Sequence, residues 1–475
     1  MKQMKLVLAI SIALAMASPA LAFNLEWHGD LNNRASYSTQ ADTSTRISSD
    51  SAVYYSIDGQ DNITVPAGVD FEKNSKDAGL FAELKYRLHM VASDDEQKVK
   101  GVLGLEFGSN KYGDAKTGLG GDNRDTLELR WAYTDIELPF DSASRLSVGL
   151  QPVGYNAFVW SDNAAGVKWS RKTGHFAYSL GWWRTDWVPT NGAAGADDNQ
   201  NGELYAADVT YVADNGNALN GFVIFRDQGE DTTFGATSTT VGVDDDLDGL
   251  ADRFVTTTTG GTTVTRDSEI WLGLSGKGSW GNLSAMATGV YLTGEVKTDS
   301  VTDELDRSAY LLHAQADYKM DKFTFTLGGL YASGDDDPND DDLENFDHID
   351  ISTSVLGSVV IFDNFADDNS PSQAFYVFDQ GYKIIYLGAK YALNDKTDVW
   401  GKYFWHNTAE DNLLGDDEIG HEFVVGASYK IMKGVTAAIN AGYLVAGDAL
   451  DTLSGGLADD ADDIFRTDAK LQFKF

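Results

Sequence analysis

The chain has 475 residues, and its 73 acidic side chains outnumber the 36 basic ones, which gives a formal charge of −37. This balance argues against nucleic acid as a partner, because a phosphate backbone attracts positive charge. The absence of cysteine excludes disulfide scaffolds, thiol catalysis and cysteine-type zinc sites. Aromatic residues make up 12% of the chain, too many for a disordered acidic polymer, so the sequence predicts a folded protein.

Residues 1–22 have the three parts of a secretory signal peptide. Lys2 and Lys5 supply a positive start, residues 6–16 form an apolar run, and Ala20 and Ala22 provide the small residues of a cleavage site. The run is too short to span a bilayer. After Ala22 no apolar stretch approaches the ~18 residues of a transmembrane helix. The sequence therefore predicts an exported protein whose folded part is residues 23–475.

Apolar and polar side chains alternate every two residues through this folded part. Near the C-terminus, Leu471 and Phe473 fall on one face, whereas Arg466, Asp468 and Lys470 fall on the other. A strand with one apolar face and one charged face separates hydrocarbon from water. The pattern predicts eighteen strands, at residues 24–38, 79–92, 98–109, 124–138, 144–152, 164–172, 174–187, 203–213, 218–228, 267–276, 279–295, 307–319, 321–333, 380–392, 396–408, 420–432, 434–448 and 463–475.

The connections between these strands alternate in length. Tight turns with Asn, Asp or Gly, such as 214–217 and 432–434, alternate with long stretches such as 39–78, 229–266 and 334–379. This layout predicts an all-β transmembrane antiparallel barrel with short periplasmic turns and long extracellular loops. Sixteen strands remain an alternative if the pair around 144–172 is misread. A soluble sandwich or propeller is a second alternative, although no propeller repeat is visible.

A barrel of this size leaves an aqueous channel, so the inward faces predict the selectivity surface. One interpretation is that the inward charges only solvate the lumen. The other is an arginine ladder that faces carboxylates across a constriction and sets a transverse field. The candidate pore-lining residues are Arg34, Glu83, Lys85, Arg87, Glu128, Arg130, Asp317, Lys402, Arg466, Asp468 and Lys470.

The connection 153–163 contains Tyr155, Phe158 and Trp160 and is either a constriction loop or part of the rim. Other aromatic residues suit the interfacial girdles that flank the apolar band of a barrel. Trp183 and Phe404 break this pattern, because they fall on the inward face. The girdle candidates are Trp27, Trp131, Tyr133, Tyr178, Trp182, Tyr211, Tyr403, Trp405 and Tyr443.

The long loops carry most of the negative charge. Residues 334–379 contain thirteen Asp or Glu and no Lys or Arg, which indicates either a solvated acidic loop or a funnel that concentrates cations. Asp244, Asp246, Asp248 and Asp252 stand at positions 1, 3, 5 and 9 of a loop with Gly at position 6. Oxygen ligands at this spacing predict a structural Ca²⁺ site, completed by Asp252 because Val255 occupies position 12. No cofactor is otherwise required.

The C-terminus, with Leu471, Phe473 and a terminal Phe475, resembles the assembly signal of Gram-negative outer-membrane barrels. Within this class, the chain resembles the roughly eighteen-stranded porins of the alginate-export and related delta-proteobacterial type. Residues 330–337, a strand that enters an acidic loop, and residues 441–448 carry the resemblance. It implies a location in the outer membrane and recognition by the barrel assembly machinery. It also implies a homotrimer, although relatives of this type work as monomers.

Three function classes were weighed. An enzyme is disfavoured, because neither a Gly-x-Ser-x-Gly elbow nor a His-Glu-x-x-His motif accompanies the seven histidines. An adhesin or structural surface barrel would act through the acidic loops. The favoured prediction is a passive porin for small hydrophilic solutes and ions, with a mixed-charge lining. The acidic loops favour cations, whereas an inward arginine cluster would favour anions.

Overall fold

The fold was analysed in a computed structural model. It describes residues 23–39, 79–112, 127–185, 202–227, 232–234, 237–243, 253–259, 262–298, 305–336, 342–351, 356–362, 376, 380–411, 416–453 and 463–475. The predicted signal peptide, residues 1–22, lies outside the described residues and stays a prediction. The same holds for the predicted calcium ligands Asp244, Asp246, Asp248 and Asp252.

Eighteen strands form one closed antiparallel sheet, which confirms the predicted barrel. The strands are β1 Phe23–Ser38, β2 Gly79–Asp94, β3 Val99–Lys111, β4 Leu127–Leu138, β5 Asp141–Asn156, β6 Trp160–Thr173, β7 Phe176–Thr185, β8 Gly202–Val212, β9 Ala218–Asp227, β10 Thr262–Trp280, β11 Leu283–Thr298, β12 Leu305–Met320, β13 Phe323–Ala332, β14 Tyr382–Asn394, β15 Thr397–Asn407, β16 Glu418–Met432, β17 Val435–Ala446 and β18 Ile464–Lys474.

Each barrel strand pairs with its neighbours in the sequence, and β18 closes the sheet on β1. Arg34 marks the seam, since it stands opposite Glu83 of β2 and Lys470 of β18. Full closure leaves no sheet edge, which is the requirement for strands in hydrocarbon. The sixteen-strand alternative was wrong, because β5 and β6 pair from Ser144 to Asn156. The soluble sandwich was also wrong, because the barrel strands form a single sheet.

Both described ends of the barrel lie on the side of the short turns. Phe23 pairs with Asp94 beside the turn between β2 and β3. Phe475 exchanges two backbone hydrogen bonds with Gly29, and its ring occupies the space where a Cβ of residue 29 would lie. A glycine is therefore needed at position 29 for the terminal aromatic ring to pack against β1.

Outward side chains form an apolar band around the barrel. Large outward residues such as Leu80, Leu327 and Val425 expose 77%, 59% and 62% of their surface. An apolar surface of this extent is stable in lipid and not in water. Alternation along the strands thus produces the band directly, since every second side chain points outward.

Short elements accompany the barrel strands. Thr237–Val243 and Arg253–Thr259 form a two-stranded hairpin, and the predicted calcium ligands fall in the connection between these two strands. Thr232–Phe234 pairs with the start of β10, and Asp342–Leu343 pairs in parallel with β12. A helix, α1, spans Asp448–Leu453. Among the described residues, no helix is long and apolar enough to cross a membrane.

Candidate functional site: the barrel lumen

The inward faces of β18 and β1 to β4 carry a row of ionisable side chains, which we call the charged wall. Its members are Arg466, Asp468, Lys470, Arg34, Glu83, Lys85, Arg87, Glu106, Glu128 and Arg130. The sheet register places their side chains on the face opposite to the apolar band. Arg34 forms an ion pair with Glu83, and Arg466 Nη2 lies 3.3 Å from Asp468 Oδ1.

Glu106 is the centre of the charged wall. Lys85 Nζ lies 3.2 Å from its Oε1, while Arg87 Nε and Arg130 Nε lie 2.7 Å and 3.1 Å from its Oε2. Three cationic side chains therefore gather at one carboxylate. The side chains of Arg87 and Arg130 are 15% and 23% accessible to solvent, against 6% for Lys85. Two of the three cationic groups are therefore partly in contact with solvent.

Glu106 is absent from the predicted pore-lining residues, although the sequence contains a signal for it. Val102 and Glu106 alternate with Leu103 and Leu105 inside a predicted strand, so the two-residue period alone assigns Glu106 to the inward face. Ten of the eleven predicted pore-lining residues occupy inward positions in the register, and Arg130, the extra residue of a bulge in β4, reaches inward to Glu106. Nine belong to the charged wall, whereas Asp317 and Lys402 lie on the far side of the barrel. Their part in conduction stays a prediction.

The inward face from β7 to β17 has a different character, because its extracellular half is apolar. Large side chains there have almost no exposed surface, including Trp183 and Phe404, the two inward aromatic residues that the sequence singled out. We call this surface the apolar wall. Its most buried members are Trp183, Leu204, Ile224, Trp271, Leu292, Leu311, Tyr382, Phe404 and Leu444. An apolar surface therefore accompanies the predicted charged lining in this part of the barrel.

Described parts of the connection between β13 and β14, at residues 342–351, 356–362 and 376, cover the apolar wall; we call this connection, residues 333–381, the internal loop. Its described apolar residues Phe346, Ile351, Leu356 and Phe362 are 1–4% exposed. Trp271 Nε1 donates a hydrogen bond to its Asp347 carbonyl oxygen at 2.9 Å. An apolar inner face that would be costly in water is thus buried against a segment of the same chain.

The hairpin between β5 and β6 also turns into the lumen and meets the internal loop. Val159 O accepts hydrogen bonds from Ile349 N and Asp350 N at 2.9 Å and 3.3 Å, and the Tyr376 hydroxyl donates to Phe158 O at 2.7 Å. Trp160 is 1% exposed. The sequence left two positions open for residues 153–163, inside the barrel or on the rim. The tip of the hairpin packs inside the barrel and not on the rim.

A second group of buried charges joins the internal loop to the barrel. Arg226 of β9 forms an ion pair with Glu269 of β10, and Arg307 Nη1 lies 3.6 Å from Glu269 Oε1. Asp347 of the internal loop approaches Arg226 to 3.4 Å. Burial raises the pKa of Asp347, and the nearby negative charge of Glu269 adds to this effect, while the two arginines oppose it. Sequence reasoning missed this group.

Five predicted girdle residues, Trp27, Trp182, Tyr211, Trp405 and Tyr443, are 37–57% exposed on the outer face. Trp131 and Tyr133 were assigned to the wrong face. A β-bulge in β4 inserts one extra residue, so Trp131 stands opposite Gly104 on the inward face, with Tyr133 opposite Val102. Trp131 packs edge-on against His89 at 5.1 Å between ring centroids. A bulge shifts the alternation by one residue, which a strict two-residue period does not anticipate.

Within the described parts of the chain, no group of three or more His, Asp or Glu side chains is placed to hold a metal ion. The structure of the predicted Ca²⁺ loop, residues 244–252, lies outside these parts. Calcium binding therefore stays a prediction from the spacing of the four aspartates.

Comparisons with known proteins agree with the barrel. Residues 253–461, less than half of the chain, match the model of a family described as alginate export. This range includes both segments, 330–337 and 441–448, that carried the resemblance in the sequence. No curated protein matches the chain.

Two solved structures are similar in fold. A BenF-like porin from Pseudomonas fluorescens Pf-5 is 9% identical with a TM-score of 0.52, and the alignment covers 96% of this chain and 100% of that one. OccK1 (OpdK) from Pseudomonas aeruginosa is 10% identical with a TM-score of 0.50, over 95% and 98% of the two chains. Together with the closed sheet and its apolar outer band, these likenesses show that the chain has the fold of a porin β-barrel.

Proposed function

We propose that the chain is a passive porin, through which small hydrophilic solutes and ions diffuse along the charged wall. The observation that carries this proposal is the row of ionised side chains on one inner face of a barrel with an apolar exterior. Charges are costly to bury without partners or water. A lumen lined with them is suited to hydrated solutes and unsuited to an inert structural barrel.

Two opposing charge distributions determine the proposed ion selectivity. The three cationic side chains around Glu106 favour anions inside the barrel. The acidic sequence of the internal loop, with thirteen Asp or Glu and no Lys or Arg between residues 334 and 379, favours cations. The selectivity of the current reports which of the two groups controls the narrowest part of the path.

We propose no enzymatic role. The buried residues Ser358, His406 and Glu422 include the side-chain types of a hydrolase triad, but their order differs. Ser358 Oγ donates to Glu422 Oε2 at 2.6 Å, and His406 Nε2 also faces that carboxylate at 3.3 Å. A nucleophile must contact the histidine that removes its proton. Here the carboxylate stands between the two, and all three side chains are sealed from solvent.

Three partners complete the proposal. Phe475 with Phe473 and Leu471 supplies the signal for the barrel assembly machinery, which is consistent with the packing of the Phe475 ring at Gly29. The barrel assembles as a homotrimer in the outer-membrane lipid. A structural Ca²⁺ at Asp244, Asp246, Asp248 and Asp252 orders an acidic loop that otherwise repels itself.

The decisive experiment is the reversal potential of the purified protein in a planar bilayer under a KCl gradient, with and without Ca²⁺. A stepwise current supports a passive porin if the channel also admits small sugars and its transport does not saturate as the solute concentration rises. Cation selectivity that falls on addition of Ca²⁺ would assign control to the loop carboxylates, whereas anion selectivity would assign it to the charged wall. Insertion without current would contradict the proposal and favour a surface adhesin.

A further inference from the structure

One short part of the internal loop, residues 356–362, packs directly on the apolar wall; we call it the docked segment. It contains no charged residue. Leu356, Val359, Val360 and Phe362 are 1–4% exposed, and the Phe362 ring packs edge-on against Tyr382 of β14 at 5.6 Å between centroids. The docked segment therefore occupies volume inside the barrel that would otherwise belong to the lumen.

Two barrel side chains hydrogen-bond the docked segment: Lys402 Nζ donates to Leu356 O at 3.4 Å, and a carboxylate on the next strand accepts the other hydrogen bonds. Glu422 of β16, which is 0% exposed, accepts hydrogen bonds at Oε1 from Val359 N at 2.7 Å and from Val360 N at 2.9 Å. Its Oε2 accepts from Ser358 Oγ at 2.6 Å. Hydrogen bonds of an ionised acceptor to backbone N–H groups are among the strong ones in proteins. One side chain thus satisfies three successive donors of the segment.

Ser358 links Glu422 to the rest of the docked segment through further hydrogen bonds. Its Oγ accepts hydrogen bonds from Ile361 N and Phe362 N, both at 3.2 Å. The backbone donors of residues 359–362 therefore depend, directly or through Ser358, on the Glu422 carboxylate. Buried donors without an acceptor are costly, so the segment would have to leave the wall for water if this carboxylate were removed.

The neighbouring strand is shaped for the same contact. Gly442 of β17 is an inward position, and a Cβ built there would lie 3.1 Å from Val359 Cβ and 2.9 Å from Val360 Cγ2. A Cβ at residue 442 would be in tight contact with Val359 and Val360, so the docked segment packs most closely when this residue is glycine. Glu422 and Gly442, which lie on adjacent strands, thus serve one purpose.

We propose that Glu422 is a positioning residue for the pore, and that its grip on the docked segment sets the open cross-section of the lumen. The inference rests on the proposed porin function. It assigns the width of the path to a backbone-binding carboxylate that makes no contact with the solute. Loss of this grip frees the segment and widens the path along the charged wall.

The first test compares single-channel currents of the wild-type protein, Glu422→Ala and Glu418→Gln. Glu418 lies on the same strand, but its side chain is 45% accessible and pairs with His421 at the rim. We expect a rise in unit conductance and entry of larger sugars for Glu422→Ala, with wild-type values for Glu418→Gln. A folded Glu422→Ala variant, judged by heat-modifiable gel mobility, that conducts like wild type would overturn the inference.

The second test uses the absence of native cysteine. The 3.1 Å between Val359 Cβ and a Cβ at residue 442 is close to the ~3.5–4.5 Å span of a disulfide. The pair Val359→Cys and Gly442→Cys should therefore form a bond that staples the segment. In the Glu422→Ala background, the oxidised staple should restore wild-type conductance, and a reductant should raise it again. A stapled variant that keeps the raised conductance would contradict the inference.

The rate of staple formation separates this inference from the proposed function. If Glu422 holds the segment, the two cysteines crosslink faster with Glu422 present than in the Glu422→Ala background, whether or not the barrel conducts. Equal rates would overturn the positioning role. A wild-type protein that inserts without current, combined with unequal rates, would reject the porin function and the proposed effect on pore width, and keep only the grip of Glu422 on the segment.

Discussion

The charged wall and the apolar wall belong to the same closed sheet, yet their inward side chains are stabilised in different ways. On the charged wall, ionisable side chains pair with each other across neighbouring strands, and Arg87 and Arg130 keep contact with solvent. On the apolar wall, side chains such as Trp271 and Phe404 are sealed by the internal loop. Alternation decides which residues point inward, but it does not decide whether an inward side chain meets water or protein.

The two walls should therefore affect different properties, the apolar wall the stability of the fold and the charged wall the permeation of ions. Apart from Glu422, which holds the docked segment, changes on the apolar wall should mainly affect the free energy of unfolding, because the side chains there have no access to water. Changes at the solvent-accessible part of the charged wall should mainly affect the current. The following predictions test this division.

The largest expected effect comes from the buried charges under the internal loop. Glu269→Ala leaves Arg226 and Arg307 without their shared carboxylate, and breaking a buried pair in this way costs about 3–5 kcal/mol. Urea unfolding followed by tryptophan fluorescence measures the loss. The control is Arg171→Ala, whose partly exposed pair with Asp141 should contribute about 0–1 kcal/mol. Equal losses in the two variants would contradict a sealed apolar wall.

The second prediction compares two phenylalanines whose side chains point to opposite faces of the sheet. Phe404 points inward and is 0% exposed, whereas Phe423 points outward and is 51% exposed. Phe404→Ala should cost about 3–5 kcal/mol, because it leaves a cavity in a packed interior. Phe423→Ala should cost clearly less, since lipid chains fill the space. The same urea assay measures the free energy of unfolding of both variants. A larger loss for Phe423→Ala than for Phe404→Ala would contradict a packed core on the inner face of the sheet.

On the charged wall, the expected effect is on selectivity. Arg130→Gln removes one of the three cations around Glu106 and should shift the reversal potential toward cation selectivity. Stability should change by less than about 1 kcal/mol, because the side chain keeps partial access to water. Lys396→Gln, in a short turn outside the lumen, is the charge-matched control. A shift of equal size in both variants would mean that the charge of the whole protein, and not the lumen, sets the selectivity.

The smallest effect is a pH dependence at the rim. A hydrogen bond from Lys383, at 2.9 Å, holds the pKa of Asp417 below its usual range. A carboxyl with a lowered pKa stabilises the folded state above its unfolded pKa, ~3.9, and this contribution is lost as the pH falls through the lower folded value. Asp417→Asn should therefore flatten the stability profile below about pH 4. An unchanged profile would show that the pair contributes nothing to stability.

The sequence alone was sufficient for the barrel. Every predicted strand corresponds to one observed strand, and Leu471 and Phe473 point outward as their spacing requires. Except for Arg130 at the bulge, the charged candidates from Arg34 to Lys470 all hold inward positions. These properties depend on residues two positions apart and on turn residues, so a local pattern contains them.

The details of the lumen depended on contacts that no local pattern contains. The bulge beside Arg130 turned Trp131 and Tyr133 inward, against a strict two-residue period. Glu106 became the partner of three cations only because β2, β3 and β4 are neighbours in the sheet.

The amino-acid sequence by itself determined the strands, their number and the apolar band, because side-chain alternation and turn chemistry are local. Only the tertiary structure decided what fills the barrel. Val359 and Glu422 are 63 residues apart in the chain, and Tyr376 and Phe158 are 218 apart. Contacts over such separations form when the closed sheet brings its inner face to the internal loop. The physical reason is the hydrophobic effect, because the inward apolar side chains would be exposed to water without this loop.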